Sequence, residues 1–149
     1  MSRLKGFPGL VIKPEWVEKV TTGPYDSYTP EQRQVITSEN QLSFLNITRS
    51  LEDLPVEQRD NVEELLNECK EAMGHLYKAD VYQSFDEPSL FIYRIDIPHN
   101  GSVHSQTGIV GLVPVEDTES VQILKHEEVR PERSDLMSRH LLAVEASSS

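Results

Sequence analysis

The sequence predicts an α+β fold, the class in which helices and sheet occupy partly separate stretches of the chain. Residues 56–77 have the apolar spacing of an amphipathic helix, whereas residues 90–97 and 107–115 are rich in strand-forming residues and flank a turn. We expect a small mixed or antiparallel sheet of about four strands, packed by three helices. The length of 149 residues suits a single domain over residues 1–149.

The first third of the chain is predicted to contain one helix and one strand. Residues 1–22 are expected to be irregular, and glycine and proline interrupt their apolar run, unlike that of a secretory signal. Thr29 begins a helix to about Thr37, because proline follows at the first helical position and Gln32 completes a capping box. Residues 43–48 mostly alternate apolar and polar side chains, which predicts a strand.

The rest of the chain supplies the remaining elements. In the helix at 56–77, apolar residues fall three and four positions apart on one face. The strands at 90–97 and 107–115 are predicted to form an antiparallel hairpin. A further strand is predicted at 121–124, and Ser134 is predicted to be the N-cap of a last helix.

Composition and charge exclude several classes of protein. A net charge of −11 repels phosphates, so general nucleic-acid binding is disfavoured. No apolar stretch approaches membrane-spanning length. The only cysteine, Cys69, excludes an internal disulfide and a cysteine-rich metal site, so we expect a cytoplasmic protein. Because Cys69 falls in the apolar stripe of the long helix, it is expected to be an inert core thiol.

Ionisable residues are most concentrated between positions 126 and 140. The amino terminus of a helix presents unpaired N–H groups and a partial positive charge, so it attracts phosphate. Arg130 and Arg133 precede the predicted cap at Ser134, and an arginine holds phosphate through a bidentate pair of hydrogen bonds. This arrangement predicts a phosphate-binding site, with Arg130, Arg133 and Ser134 as ligand residues.

The same segment offers groups for catalysis. Glu127, beside His126, is an acid–base candidate. With Mg²⁺ bridging the phosphates of ATP or another nucleotide, such a carboxylate would position or deprotonate an attacking hydroxyl. Arg139 and His140 lie further along and reach the ligand if their helix face is right. The alternative is a solvated charged loop, in which the glutamates largely cancel the positive charge.

Two other groups of residues have both a structural and a functional interpretation. Tyr25 and Asp26 follow a proline and are either turn-forming residues or ligand residues that fold against the charged segment. His99 and His104 lie in the predicted hairpin turn, but no third metal ligand follows at a fixed spacing, so no metal site is predicted.

Several motifs occur in a characteristic order along residues 7–146. They are Pro24-Tyr25-Asp26, Leu42-Ser43-Phe44-Leu45, Leu90-Phe91-Ile92-Tyr93-Arg94, Thr107-Gly108-Ile109-Val110-Gly111, His126-Glu127, Val129-Arg130-Pro131 and Arg139-His140. In this order they resemble the amino-terminal part of the 1015 family of domains of unknown function, found in bacteria and archaea. Family members usually have Asp-Arg where this chain has Leu136-Met137, and they are usually far longer.

The resemblance implies a fold similar to that of the ParB/sulfiredoxin-like group. Relatives in that group bind nucleotides: some hydrolyse CTP, some use ATP and some phosphorylate free serine. Their phosphate site lies where a short charged loop enters a helix, which corresponds to residues 126–139 here. The two departures from the family pattern imply that such an activity is absent or partial in this chain.

These observations support one hypothesis and one alternative. The hypothesis is a protein that binds a nucleotide or small phosphorylated ligand, with phosphoryl transfer to a small hydroxylated molecule or nucleotide hydrolysis as its reaction. The alternative is a non-catalytic binding or interaction module, a shortened family member that acts in a larger assembly as a homo-oligomer or with a partner chain. The sequence leaves open whether the protein is an enzyme.

Overall fold

A computed structural model describes residues 4–114 and 131–146, of which 131–133 are described by their backbone alone. The α+β class is confirmed. The main elements of these residues are β1 (Phe7–Ile12), α1 (Val17–Val20), α2 (Pro30–Glu39), α3 (Val62–Lys78), β2 (Tyr82–Ser89), β3 (Phe91–His99), β4 (Ser102–Val110) and α4 (Pro131–Val144). They fall into two compact units, one with residues 4–10 and 84–114, and one with residues 11–83 and 131–146.

The core of the helical unit is the apolar face of α3. The helix begins at Val62 rather than at position 56, because the Asn61 side chain caps it by accepting from the Glu64 amide at 3.1 Å. Its buried residues pack against apolar residues from the rest of the unit. The cluster consists of Val20, Ile47, Leu54, Leu65, Cys69, Ala72, Met73, Leu76, Val81 and Val144. Each large aliphatic side chain buried in this way stabilises the fold by about 1.5–3 kcal/mol.

Helix α2 begins as its sequence predicts. The Thr29 hydroxyl accepts from the Gln32 amide at 3.3 Å, and the Gln32 side chain accepts from the Thr29 amide at 2.9 Å, which confirms the capping box.

The strand predicted at 43–48 is wrong. This segment instead forms a 3-10 turn, Phe44–Asn46, in which the Asn46 amide group donates to the main-chain oxygens of Asn40 and Ser43. Leu45 and Ile47 are both buried, so the alternating apolar residues that predicted a strand are instead the residues that this turn directs into the core.

Helix α4 begins at Pro131, so the assignment of Ser134 as its N-cap is wrong. Proline suits the first position of a helix, since its ring fixes φ and its missing N–H would have no partner there. Ser134 is the fourth helical residue, and its carbonyl accepts from the Ser138 hydroxyl at 2.8 Å. Val144, at the other end, is buried in the core. The strand predicted at 121–124 lies outside the described residues.

The strands form two antiparallel pairs, β1 with β2 and β3 with β4. The single sheet of about four strands is therefore not found in the described part of the chain. Strand β1 and helix α1 both lie within residues 1–22, which we expected to be irregular. The Lys13 amide continues the first pair by donating to the Val81 carbonyl at 2.9 Å.

The hairpin of β3 and β4 confirms the predicted antiparallel pairing. Its register pairs Phe91 with Val110 and ends at His99 with Ser102. The two residues between, Asn100 and Gly101, have φ values of 47° and 77°. Two successive left-handed residues form a type I′ turn, which matches the twist of the paired strands. Because the turn needs only two residues, β4 begins at position 102, earlier than predicted.

Candidate functional site

The Tyr25 side chain lies in a polar cluster of the helical unit. Tyr25 begins a short 3-10 turn, Tyr25–Ser27, that leads into the cap of α2. Its hydroxyl lies 2.7 Å from Asp53 Oδ2, 3.0 Å from Glu52 Oε1 and 2.8 Å from Ser50 Oγ. Burial raises the pKa of Tyr25, and the two carboxylates raise it further, against the opposite effect of the bond to Ser50. Tyr25 therefore keeps its proton at neutral pH and donates it to a carboxylate.

Arg33 is the cation of this cluster. The capping box fixes the start of α2, and Arg33 follows one turn later with its side chain only 5% exposed. Its guanidinium donates from Nε to Asp53 Oδ1 at 2.7 Å, from Nη2 to Glu52 Oε1 at 2.8 Å and from Nη1 to the Tyr28 carbonyl at 2.7 Å. It also lies 3.9 Å from the centre of the Tyr25 ring, an attractive cation–π distance.

The electrostatics of the cluster favour a permanent charge on Arg33. Burial lowers the pKa of Arg33, but the hydrogen bond and the charge of Asp53 outweigh this effect, so the net direction is upward. Asp53 is as buried as Arg33, and its second oxygen also accepts from the Ser50 amide at 3.0 Å. The pair is thus a desolvated ion pair whose hydrogen bonds are satisfied, which is the condition for such a pair to be tolerated in an interior.

A depression of about 270 Å³ adjoins the cluster. Arg33 and Asp53 line one side of it, and a second ion pair, Arg49 with Glu68, lines another. The remaining lining residues are Gln34, Thr37, Leu45, Leu54, Pro55 and Gln58. Because two arginines face two carboxylates, an anion in this depression would have to displace a carboxylate from its arginine.

The predicted ligand residues that the structure describes are not brought together at one site. Arg139, on α4, donates from Nη2 to Glu63 of α3. His140 Nε2 lies 2.7 Å from the carbonyl of Ile47, which directly follows the 3-10 turn that replaces the predicted strand. Both side chains therefore join α4 to the rest of the helical unit. Asp26 and Ser134 are exposed.

The other predicted site residues cannot be placed with them. His126, Glu127 and Arg130 lie outside the described residues. Arg133 is in the first turn of α4, where only the backbone is described. Their assignment as catalytic and phosphate-binding residues stays a prediction.

Sequence reasoning missed the partners of Tyr25, namely Arg33, Glu52 and Asp53. Ser50 and Asp53 form a second capping box around the 3-10 turn Leu51–Asp53, where the sequence patterns predicted no helix or strand. The spacing Ser-x-x-Asp was the available signal. It fixes the turn locally, whereas the ion pair with Arg33 depends on tertiary packing.

Two further features of the described residues concern the binding of metals and phosphate. His99 and His104 have ring centres 6.0 Å apart, and no group of three or more metal-binding side chains occurs in the part of the chain that the structure describes. A second, larger depression on α3 is lined mainly by glutamates, Glu63, Glu64, Glu68 and Glu71, whose charge repels phosphate.

Among the described helices, none is both long and apolar enough to cross a membrane.

A scan against protein families matched residues 4–149 to the family described as protein of unknown function, DUF1015. The chain belongs to the DUF1015 family. A search of curated proteins and a search of solved structures each found no match. Membership of DUF1015 confirms the predicted family, and it assigns no reaction because the family itself is described as having no known function.

Proposed function

We propose that this DUF1015 member binds a nucleotide or another small phosphorylated ligand at the amino-terminal end of α4. The observation that carries the proposal is the start of that helix at Pro131, directly after Arg130 and two residues before Arg133. The unpaired N–H groups of a first turn attract phosphate, and here one arginine precedes the first turn in the sequence and another lies within it.

The start of the helix changes which residues suit each role. Ser134 is no longer the cap, so the open amides belong to the positions before it. Arg139 is held by Glu63 and His140 by the Ile47 carbonyl, so we assign both to positioning α4. The proposed phosphate ligands are then Arg130 and Arg133, with Glu127 and His126 as the acid–base candidates.

The reaction we propose is phosphoryl transfer to a small hydroxylated molecule, or nucleotide hydrolysis. Mg²⁺ bound with the nucleotide would supply charge neutralisation at the phosphates, and a carboxylate such as Glu127 would orient the attacking oxygen. The single free thiol, Cys69, suits the reducing cytosol in which we place this reaction.

Calorimetric titration tests the ligand. The chain is titrated with ATP, ADP, CTP and phosphoserine, each with and without Mg²⁺. Arg130→Gln and Arg133→Gln should each weaken binding by roughly tenfold to a hundredfold, since a hydrogen bond to a charged group contributes about 1.5–3 kcal/mol. Lys70→Gln, which removes an exposed cation of α3, is the matched control and should leave affinity unchanged. If none of the four ligands binds, the proposal is refuted.

A second candidate function is a non-catalytic interaction module. The observation that favours it is the exposure of three successive side chains on one face of β3, Tyr93, Ile95 and Ile97, which are 44%, 48% and 51% exposed. Contiguous exposed apolar residues are typical of binding surfaces. Light scattering of the purified chain tests this function: a complex or oligomer supports it, and a monomer without partners at every concentration opposes it.

A further inference from the structure

The outer edge of β3, on the side away from β4, lacks a neighbouring strand among the described residues. There, β3 is hydrogen-bonded to β4 only. All of β3 after Phe91 is exposed, including Tyr93, Ile95 and Ile97 at 44%, 48% and 51%. An isolated two-stranded hairpin is marginally stable in water, and an open edge is a template for another strand.

The turn determines which backbone groups face this edge. In a two-residue type I′ hairpin the closing pair, here His99 and Ser102, exchanges hydrogen bonds across the hairpin. Because bonding alternates along a strand, Ile95 and Ile97 bond towards β4, while Arg94 and Asp96 direct their N–H and C=O groups to the outer edge. Pro98 also falls on the outer side, so its missing N–H leaves the hairpin intact, and a strand added at this edge lacks one ladder hydrogen bond there.

The outer edge is complementary to a second copy of itself. If two β3 strands pair antiparallel about Ile95, Arg94 lies opposite the partner's Asp96 in a hydrogen-bonded pair, and Asp96 lies opposite the partner's Arg94. On the other face, Tyr93 lies opposite the partner's Ile97. Opposite charges and aromatic–aliphatic pairs directly across two strands each contribute about 0.2–1 kcal/mol.

The charges also disfavour the two adjacent registers. Centring the pair on Arg94 or on Asp96 would place two like charges opposite each other, which is unfavourable. Within one chain, Arg94 Nε already donates to Asp96 Oδ1 at 2.8 Å, and both contact the Ser105 hydroxyl. The two side chains therefore lie on one face of the hairpin, oriented for exchange of partners across a two-fold axis.

We propose that two copies of this chain associate through the outer edges of β3, antiparallel and centred on Ile95, to form a four-stranded sheet. This inference rests on the second candidate function and names its partner. It does not depend on the phosphate ligand. A negative result in the nucleotide titration therefore leaves the dimer untouched, and a negative result in the experiments below leaves the ligand untouched.

Disulfide trapping tests the register. Ile95 sits on the proposed axis as a non-hydrogen-bonded pair, where the Cα atoms are about 4.5 Å apart, within the range that a disulfide spans. Ile95→Cys should form a covalent dimer under mild oxidation. Val103→Cys is an exposed control on β4 and should not. The native Cys69 is buried and does not interfere. Equal crosslinking of the two variants, or none at Ile95→Cys, would overturn the proposal.

Charge exchange tests the pairing without a covalent bond. Asp96→Arg places arginine opposite arginine at both symmetric positions and should raise the dimer dissociation constant at least about tenfold in sedimentation equilibrium. The double variant Arg94→Asp with Asp96→Arg restores opposite charges and should restore dimerisation. Circular dichroism checks that each variant is folded. A wild type that is monomeric throughout, or a double variant no better than Asp96→Arg, would refute this pairing.

Discussion

Removal of the Asp53 carboxylate should destabilise the helical unit far more than removal of its neighbour Glu52. Asp53→Ala deletes the acceptor of Arg33 Nε and of the Tyr25 hydroxyl, both at 2.7 Å, in a place where the Asp53 and Arg33 side chains are each 5% exposed. Breaking a buried ion pair by removing one partner costs about 3–5 kcal/mol, because a charge is left buried. Glu52 and the Tyr28 carbonyl still bind the guanidinium, so we expect the lower end, about 3 kcal/mol.

Urea unfolding followed by circular dichroism measures this difference. With a slope of about 2 kcal/mol/M, a loss of about 3 kcal/mol lowers the unfolding midpoint by about 1.5 M. Glu52→Ala is the matched control: its side chain is 55% exposed, so its ion pair contributes only about 0.2–1 kcal/mol. If Asp53→Ala does not fold, Asp53→Asn keeps the shape and should still be less stable than Glu52→Ala. Equal, small losses for the Asp53 and Glu52 variants would show that Arg33 does not depend on its buried partner.

Three further predictions concern the backbone and the core. Gly74→Ala should stabilise the protein by about 0.5–1 kcal/mol in urea unfolding, since a Cβ added to this helix meets nothing within 4 Å. By contrast, Gly6→Ala should destabilise it by about 1–3 kcal/mol, because the new Cβ would lie 2.8 Å from the Pro88 backbone. Thr29→Ala should lower the free energy of unfolding by about 1 kcal/mol, and an unchanged midpoint would show that the capping box does not contribute. Burial raises the pKa of the Cys69 thiol to about 11, so the thiol of the unfolded state loses its proton at a lower pH than that of the folded state. Because this favours the unfolded state, the free energy of unfolding should fall from about pH 9 towards pH 11. Cys69→Ala should reduce this alkaline slope when unfolding is measured as a function of pH.

Local signals predicted the elements that depend on neighbouring residues. The Thr29 capping box, the apolar spacing of α3 and the hairpin turn after β3 each act within a few residues, and each forms where it is expected, although the turn is shorter than predicted. Strands β1 and β2 were missed because each is stabilised by pairing with the other, which is distant in the sequence. Lys13 and Val81, whose hydrogen bond continues this pairing, are 68 positions apart. Strand β2 also contains Asp86, Glu87 and Pro88, which are poor strand formers.

The same distinction between local signals and tertiary contacts applies to the candidate site. Tyr25 was identified from its motif, but its partners required the packing of α2 against the 3-10 turn at 51–53, which no spacing in the sequence encodes. The start of α4 was misplaced because both Pro131 and Ser134 are good helix-initiating residues, and only the structure decides between them. The catalytic and phosphate-binding assignments between His126 and Arg133 stay predictions.

The position of Val144 affects how the protein is made. The helical unit is discontinuous in sequence, and its core places Val144 beside residues as early as Val20. A ribosome adds about 5–20 residues per second, so the roughly 65 residues between the end of α3 and Val144 take about 3–13 s to synthesise. During that interval the apolar face of α3 lacks its last covering helix. The nascent chain therefore cannot complete this core until Val144 has been synthesised, and until then the apolar face of α3 is accessible to chaperones.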